Sequence, residues 1–373
     1  MNNDNTNNRK ITNGLVPLAI AAALTASITA ASAEESLTIV SWGGAYSNSQ
    51  VKAYNEPYTE KTGTKLIMED KSSEALAGIR SQVGAGNVTW NLVDMLPADA
   101  QRACDEGLIM EINHDEWLAP APDGTMPSKD FVEGTLGDCF IPQIIYSTLF
   151  AYNTEVLSEG PQSIADIWDT EKFPGKRALQ KIPQKNLEWA LIADGVAMGD
   201  VYTVLETEEG QDRAFAKLDE IKDSVIWWSE GAQPPQMLAD KEVSIATAYN
   251  GRIFNAQVNE NQPFKIMWAG QALEADGWVV PVGNEEKLDM IKDFLYFATD
   301  TQRLADQAKY ISYGPARNSS APLVSTHAET GVDMKPHMPT NPENLQGALV
   351  FNNDFWTNYG DILEERFNAW LAQ

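Results

Sequence analysis

The hydrophobic pattern along the first part of the chain alternates between two spacings. Short apolar runs bounded by polar residues predict strands, and longer stretches with apolar residues three and four positions apart predict helices. The predicted strands are 37–40, 65–69 and 91–96, and the predicted helices are 50–61 and 74–83. Gly63, Gly84 and Gly107 follow helix candidates, where a left-handed cap residue is favoured. This alternation favours a largely parallel sheet covered by helices, which is a doubly wound α/β lobe.

A different pattern begins at 139–153, CFIPQIIYSTLFAYN, where aromatic and β-branched residues form a long run. We interpret this run as a strand that crosses into a second lobe. The alternation of strands and helices then resumes. Further helices are predicted at 185–198, 208–221, 286–298, 301–309 and 354–371 and after Asn250, with further strands at 225–228, 243–248 and 276–283. The predicted fold class is therefore α/β with two doubly wound lobes.

The first residues carry an export signal. Arg9 and Lys10 precede an apolar run at 15–30, and Ala31-Ser32-Ala33 follows as a small-x-small cleavage site. This order predicts a signal peptide over 1–33 and a periplasmic location, with an uncleaved membrane anchor as the alternative. No later run approaches the roughly 20 apolar residues of a membrane span. The roughly 340 residues that follow exceed what one core usually holds, so two lobes are expected on length alone.

The charge of the chain is strongly acidic, with 27 basic against 53 acidic residues and a net charge of −26. Such a surface repels phosphate backbones, so nucleic acid is not an expected partner. Attraction of a cationic ligand is one interpretation of the charge. A generally acidic proteome from a salty habitat explains it equally well, and the charge alone does not decide between the two.

The two cysteines, Cys104 and Cys139, are expected to form a disulfide, because unpaired thiols are uncommon in an oxidising compartment. The bond would close a loop of roughly 36 residues, for which the chain-entropy model gives about 3.8 kcal/mol of stabilisation as an upper figure.

Motifs for catalysis and for metal binding are missing from the sequence. His114, His327 and His337 share no spacing with other ligands that would form a metal site. There is no G-x-S-x-G elbow, phosphate loop or dinucleotide fingerprint. We therefore expect neither a cofactor nor a metal ion, and we do not expect an enzyme.

Aromatic residues recur at the ends of predicted strands in both lobes. They are Trp42, Tyr46, Trp227, Trp228, Tyr249, Trp278 and Tyr313. Each ring by itself more often belongs to the core than to a binding site. A cleft lined by several rings, however, is a common way to hold an organic cation, with a carboxylate to fix the charge through an ion pair. Asp276, beside Trp278, is the predicted carboxylate.

Five segments carry a family resemblance: SWGGAYSNSQ at 41–50, IPQIIYSTLFAYN at 141–153, KEVSIATAYNGRIF at 241–254, ADGWVVPVG at 275–283 and YISYGPARN at 310–318. In their order and spacing the chain resembles the periplasmic solute-binding proteins of ABC importers, of the polyamine (spermidine and putrescine) type, over essentially its whole mature length. The resemblance implies a type II periplasmic binding protein, whose two lobes are joined by crossing hinge strands and close on a ligand without chemistry. It also implies a monomer that delivers a small organic amine or onium ligand to an ABC permease in the inner membrane.

The same resemblance implies the lobe boundaries. The first lobe would comprise 34–142 and 275–316, and the second 143–274 and 317–373.

By position within the resemblance, Trp42 would stack on the ligand and Asp276 would bind its amine. Tyr249 takes the place of a ring that is usually Trp, Tyr313 lies near the hinge, and Ser229 matches a polar loop contact. Tyr46 and Trp278 complete the ring set.

Three residues depart from the polyamine pattern. Lys185 and Arg252 stand where acids are frequent, and Glu274 stands where an aromatic residue is common. If the two cations line the cleft, the ligand should have a negative end, because a guanidinium fork matches a carboxylate. A zwitterionic onium or amino compound, with its carboxylate on Arg252 or Lys185, is therefore one alternative to a polyamine. In another alternative, Arg252 points along its helix to a neighbouring acid and Lys185 points to solvent. An exported two-lobed enzyme is a further alternative.

Overall fold

One mixed sheet runs through the protein in the computed structural model, which describes residues 36–373. The predicted signal peptide, 1–33, lies outside the described residues. The strands are β1 Ser36–Ser41, β2 Lys65–Asp70, β3 Leu92–Met95, β4 Ile141–Asn153, β5 Arg177–Gln180, β6 Val225–Trp228, β7 Ile245–Tyr249, β8 Phe264–Val279, β9 Gly314–Pro315 and β10 Leu349–Val350.

The strand order is β2-β1-β3-β8-β4-β7-β5-β6, with β10 beside β8 and β9 beside β4. The strands β1, β2 and β3 are mutually parallel, and so are β5, β6 and β7. The central pair β4 and β8 is antiparallel to each other and to both neighbours, β7 and β3. The mixed α/β fold class is confirmed, and the predicted parallel character belongs to the two outer groups of strands.

The central pair is long, with 13 residues in β4 and 16 in β8. Its pairing extends from Ile141 opposite Trp278 to Asn153 opposite Phe264. The crossing strand predicted at 139–153 is therefore present. The strand predicted to begin at residue 276 was placed too late, because β8 begins at Phe264, and Gly270, Gln271 and Glu274 interrupt the apolar pattern in the segment before residue 276. Pairing with β4 makes that segment extended, as tertiary contacts commonly do for weak strand formers.

Helices cover the sheet on both faces. They are α1 Gly44–Gln50, α2 Glu56–Thr62, α3 Ala75–Ala85, α4 Pro97–Asp105, α5 His114–Trp117, α6 Pro127–Asp130, α7 Ile164–Trp168, α8 Asn186–Ala193, α9 Val201–Leu205, α10 Glu208–Asp219, α11 Gln233–Ala239, α12 Asn250–Asn259, α13 Leu288–Ala298, α14 Thr301–Gln307 and α15 Asn353–Leu371. A π-helical turn at Val51–Asn55 joins α1 to α2. Short 3-10 turns are Ser72–Glu74, Met198–Asp200, Lys222–Ser224, Glu285–Lys287, Ala321–Leu323 and Lys335–His337.

The helix ends show which glycine predictions hold. The helix α2 ends at Gly63, whose φ of 80° is left-handed, as expected. The helix α3 continues through Gly84 and ends at Gly86, so that prediction was two residues early. Gly107 lies two residues beyond Asp105, the last residue of α4, and its φ of 67° is left-handed, as expected. Pro97 at the first position of α4 is a recognised helix start signal.

Separate apolar clusters lie beneath the two outer groups of strands. On the β1 side, Trp278 packs against Tyr54 and Phe294, with ring centroids 5.5 and 5.9 Å away. On the β6 side, α15 packs against α8 and α10. The predicted disulfide is confirmed: Cys104 at the end of α4 is bonded to Cys139 before β4. Within residues 36–373, none of the helices combines the length and the apolar character that crossing a membrane requires.

Candidate functional site

A cavity of about 580 Å³ opens between the two outer groups of strands. Residues at the carboxyl ends of β1, β2, β3, β5, β6 and β7 line it, and β4 and β8 contribute its floor. Open α/β sheets place ligands at this edge, because the strand ends and the loops that follow them leave a crevice there. The cavity is therefore the candidate binding site.

Nine of the ten predicted ligand contacts line this cavity. They are Trp42, Tyr46, Lys185, Ser229, Tyr249, Arg252, Glu274, Asp276 and Tyr313. The tenth, Trp278, is buried in the cluster on the β1 side and does not line the cavity. The physical reason is its position along β8, two residues beyond Asp276. Trp278 pairs with Asp94 of β3 at the end of β8, where the side chain packs against Tyr54 instead of facing the cavity.

Aromatic rings form one wall of the cavity. The centroid of the Tyr146 ring lies 5.6 Å from that of Tyr249 and 6.1 Å from that of Tyr313. The Tyr313 ring in turn lies 5.8 Å from Tyr46, and Trp42 packs against the same cluster. Rings tilted in this way present both faces and edges, which suits contact with an organic cation.

The Asp276 carboxyl group lies on the floor, on β8, and is only 4% exposed. Its Oδ1 atom has no hydrogen-bond partner among the described residues, and neither does the indole N–H of Trp42, which lines the same cavity. A buried polar atom without a partner is energetically costly unless a ligand or water satisfies it. Asp276 thus offers a carboxylate oxygen to whatever occupies the cavity.

The protonation of Asp276 depends on its burial. Burial raises the pKa of Asp276 well above its usual range, and the neighbouring Asp94 raises that pKa further through charge repulsion. Burial likewise raises the pKa of Asp94 to about 7, although Gln50 donates a hydrogen bond of 2.8 Å to its carboxylate. A cation placed beside Asp276 would favour the ionised form and release a proton.

Arg252, in the first turn of α12, also lines the cavity. Its Nη2 atom donates to the backbone carbonyl oxygen of Gly43 at 3.0 Å and lies 3.5 Å from that of Trp42. Among the described residues no carboxylate lies within ion-pairing distance of this guanidinium, so the alternative in which it pairs with a neighbouring acid does not hold. The remaining N–H groups on the cavity side can bind a carboxylate of a ligand.

Lys185 is not free, because its Nζ atom lies 2.8 Å from Oε2 of Glu274. The two side chains are 5% and 2% exposed. The Tyr146 hydroxyl donates to the same Oε2 atom, and the Phe351 ring covers the ammonium with its centroid 4.6 Å away. The alternative in which Lys185 faces solvent therefore does not hold either.

Ser229 follows β6 and is exposed at the rim of the cavity. Its backbone N–H donates to Oε1 of Gln233 at 2.8 Å, which orders the turn that carries it. No hydrogen bond to the hydroxyl is present among residues 36–373, so this group is available to a ligand.

Sequence reasoning missed Tyr146, Phe351 and Gln180, all of which line the cavity. A signal existed for Tyr146, since Ile144 and Tyr146 alternate on one face of β4 and stand opposite Asp276 and Glu274. No comparable signal existed for Phe351, which follows a short strand in a segment without periodicity. Among the described residues, no group of three or more His, Cys, Asp or Glu side chains could hold a metal ion.

The fold and the cavity define a ligand-binding protein whose site lies between two groups of parallel strands. The chain belongs to the family described as bacterial extracellular solute-binding protein, whose model matches residues 53–340. Proteins of this family bind solutes for ABC importers, so the chain is a solute-binding protein and not an enzyme.

Three relatives place the chain within this family. It is 38% identical to the gamma-aminobutyric acid-binding protein of Pseudomonas aeruginosa (strain PAO1), covering 91% of this chain and 92% of that protein. It is 29% identical to MotA from A. tumefaciens B6, solved in complex with glucopine, with a TM-score of 0.79 over 90% of this chain and 99% of that one. The GABA receptor Atu4243 is also 29% identical, with a TM-score of 0.76 over 91% and 98% of the two chains.

The resemblance to the polyamine type is therefore only partly supported. A spermidine/putrescine substrate-binding protein from Streptococcus pneumoniae is 16% identical, with a TM-score of 0.67 over 90% of this chain and 99% of that one. At that level of identity the likeness shows the fold alone.

Proposed function

We propose that this protein is the periplasmic receptor of an ABC importer for a small zwitterionic amino acid of the γ-aminobutyrate (GABA) type. The ligand ammonium would pair with Asp276, and its carboxylate would bind the guanidinium of Arg252. The observation that carries the proposal is the presence, in one cavity, of an unsatisfied buried carboxylate oxygen and a guanidinium without an acidic partner.

This proposal selects the zwitterion over the polyamine as the ligand. A diamine would place one ammonium near Asp276 and the other near a guanidinium or near Glu274, which Lys185 already neutralises. Two like charges at close range cost about 1 to 4 kcal/mol, depending on the local dielectric. The names of two relatives, a GABA-binding protein and a GABA receptor, support the same choice.

The proposed transport role also implies the boundaries of two lobes and a membrane partner. We infer that lobe one comprises 34–142 and 275–316, that lobe two comprises 143–274 and 317–373, and that the lobes close on the ligand about β4 and β8. The closed monomer would deliver the ligand to a permease in the inner membrane. The export signal predicted over 1–33 supports this location.

A larger amino-acid conjugate of the opine class is the second candidate ligand. The cavity of about 580 Å³ falls within the range of pockets that hold drug-sized molecules and exceeds what a four-carbon amino acid fills. The relative solved with glucopine supports this candidate.

Isothermal titration of the mature protein with GABA, glucopine, glycine betaine, putrescine and spermidine tests the proposal. We expect GABA or glucopine to bind and both polyamines to fail. Arg252→Gln should weaken the binding of the zwitterion, because the guanidinium fork is lost. Polyamine binding without zwitterion binding, or unchanged zwitterion affinity in Arg252→Gln, would contradict it.

A further inference from the structure

The floor of the cavity carries two carboxyl groups that have different partners within the protein. Glu274 and Asp276 are two residues apart on β8, so their side chains leave the same face of the strand, with their Cα atoms about 7 Å apart. Both are buried and both line the cavity. A four-carbon diamine has a length of the same order, so two free carboxylates at this spacing would form a site for such a molecule.

Only one of the two carboxylates is paired with a cation of the protein. Oε2 of Glu274 accepts hydrogen bonds from the Lys185 ammonium, at 2.8 Å, and from the Tyr146 hydroxyl. Oδ1 of Asp276 has no partner among the described residues. The cavity therefore has two positions for a cation, and a side chain of the protein already fills one of them.

The backbone at Lys185 supports a specific role for its side chain. Lys185 precedes α8 with φ 68° and ψ −39°, a region that residues with a Cβ atom rarely adopt. Such an outlier points to a functional constraint, because a glycine would relieve the strain at once. In this conformation the ammonium reaches Glu274 beneath the Phe351 ring. Glu188 of α8 also lies near Lys185, but it accepts the Trp356 indole N–H at 2.7 Å and does not line the cavity.

We propose that Lys185 is a specificity-determining residue that occupies a second cation position at Glu274 and thereby excludes diamines. Its ammonium stands where the far amine of a diamine would bind. A ligand with one ammonium can still use Asp276, whereas a second ammonium meets a position that is filled and neutralised. This inference rests on the proposed function and explains how a chain with two acids on its floor would select an amino acid.

The test removes the lysine side chain and measures the two ligands side by side. Lys185→Gly opens the position at Glu274 and fits the positive φ, so we expect the variant to fold. In isothermal titration of the mature protein, we expect the ratio of putrescine to GABA association constants to rise at least tenfold. The double variant Lys185→Gly/Glu274→Gln should lose that gain, because the freed carboxylate is the cause.

Two further variants complete the experiment. Lys181→Gly removes an exposed lysine that does not line the cavity and should leave the ratio at the wild-type value. Lys185→Ala provides a second truncation at the same position. No rise in the ratio for folded Lys185→Gly and Lys185→Ala, or a rise that persists without Glu274, overturns the inference. Loss of folding in both variants also overturns it, since Lys185 would then be a structural residue.

The failure of this inference differs from that of the proposed function. If the wild-type protein binds no zwitterion of the panel, the proposed function fails. If it binds GABA and the diamine gain is missing, only the role of Lys185 fails.

Discussion

Asp276 and Arg252 together define the charge pattern of a ligand. A carboxyl oxygen buried without a partner carries a desolvation cost that a bound ammonium would offset. The guanidinium of Arg252 donates to the Gly43 carbonyl oxygen and lines the cavity without an acidic partner among the described residues. Because the two groups have opposite charges, a molecule with one positive and one negative end satisfies both.

Asp276→Asn should nearly abolish GABA binding. The substitution keeps the shape of the side chain and removes the charge that pairs with the ammonium. Truncating one partner of a buried charge pair costs about 2 to 5 kcal/mol, so the dissociation constant should rise at least 30-fold. Isothermal titration measures this change. Asp289→Asn, at an exposed aspartate of α13, is the matched control and should bind like the wild type. If the dissociation constant of Asp276→Asn for GABA changes less than fivefold, Asp276 does not pair with the ligand ammonium.

GABA affinity should fall as the pH is lowered. The pKa of Asp276 is raised by burial and by Asp94, so the ligand-free carboxyl takes up a proton at a higher pH than an exposed aspartate does. The ligand pairs with the ionised form, so protonation competes with binding as the pH falls through the raised pKa. GABA itself keeps both charges between pH 5 and 9, since its two groups resemble Glu and Lys with pKa values of about 4.3 and 10.4.

Titrations from pH 5 to 9, in buffers with different ionisation enthalpies, should show proton release on binding. Asp94→Asn removes one cause of the raised pKa, so its affinity profile should move to lower pH. A profile independent of pH in the wild type would contradict the role of an ionising Asp276.

Some residues of the site could be predicted from the sequence. The contact that was not predicted joins residues that are far apart in the sequence. Trp42 follows the apolar run of β1, where the strand-end rule applies to a single segment. Asp276 lies within β8, and its role was predicted from its place beside an aromatic residue and from the family resemblance. The pairing of Lys185 with Glu274 joins residues 89 positions apart. No local pattern reports such a contact, and so the sequence suggested a second free cation where the structure has an ion pair.

The central strands explain both the success and the errors of the fold prediction. The apolar run of β4 is strong enough to identify from its composition alone. The first half of β8 contains Gly270 and Gln271 and depends on pairing with β4, so its pattern is weak. The strand β5 has only 4 residues and follows a loop, and it was missed for that reason. Long elements with a strong period are predictable, whereas short ones depend on their neighbours.

Removal of the disulfide should lower the stability of the segment between α4 and β4. Cys104 and Cys139 are separated by 35 positions, and the bond restricts this loop in the unfolded chain. The variant Cys104→Ser/Cys139→Ser should lose up to about 4 kcal/mol in the free energy of unfolding, measured by urea denaturation. A reducing agent should lower the free energy of unfolding of the wild type towards that of the variant. It should leave the free energy of unfolding of the variant unchanged. Equal midpoints for the oxidised wild type and the variant would contradict this expectation.

Contacts between the two proposed lobes would couple closure of the protein to ligand binding. The helix α4 belongs to the first proposed lobe and α15 to the second. Arg102 of α4 donates to the backbone carbonyl oxygen of Trp356 at 3.2 Å and pairs with Asp361 at 3.0 Å. If the lobes separate to admit a ligand, these contacts should break and then form again on closure.

Arg102→Ala should shift the ligand-free protein towards an open form. The contacts with Trp356 and Asp361 form only when α4 and α15 are close, so losing them destabilises the closed form and lowers the apparent affinity. The loss should be about fivefold, because an ion pair with an exposed partner such as Asp361 contributes up to about 1 kcal/mol. Small-angle X-ray scattering should give a larger radius of gyration for the ligand-free variant and equal radii at saturating GABA. Arg213→Ala is the control, since Arg213 pairs with Asp194 within one proposed lobe at 2.5 Å. If Arg102→Ala matches the wild type in both radius and affinity, the contact between α4 and α15 does not take part in closure.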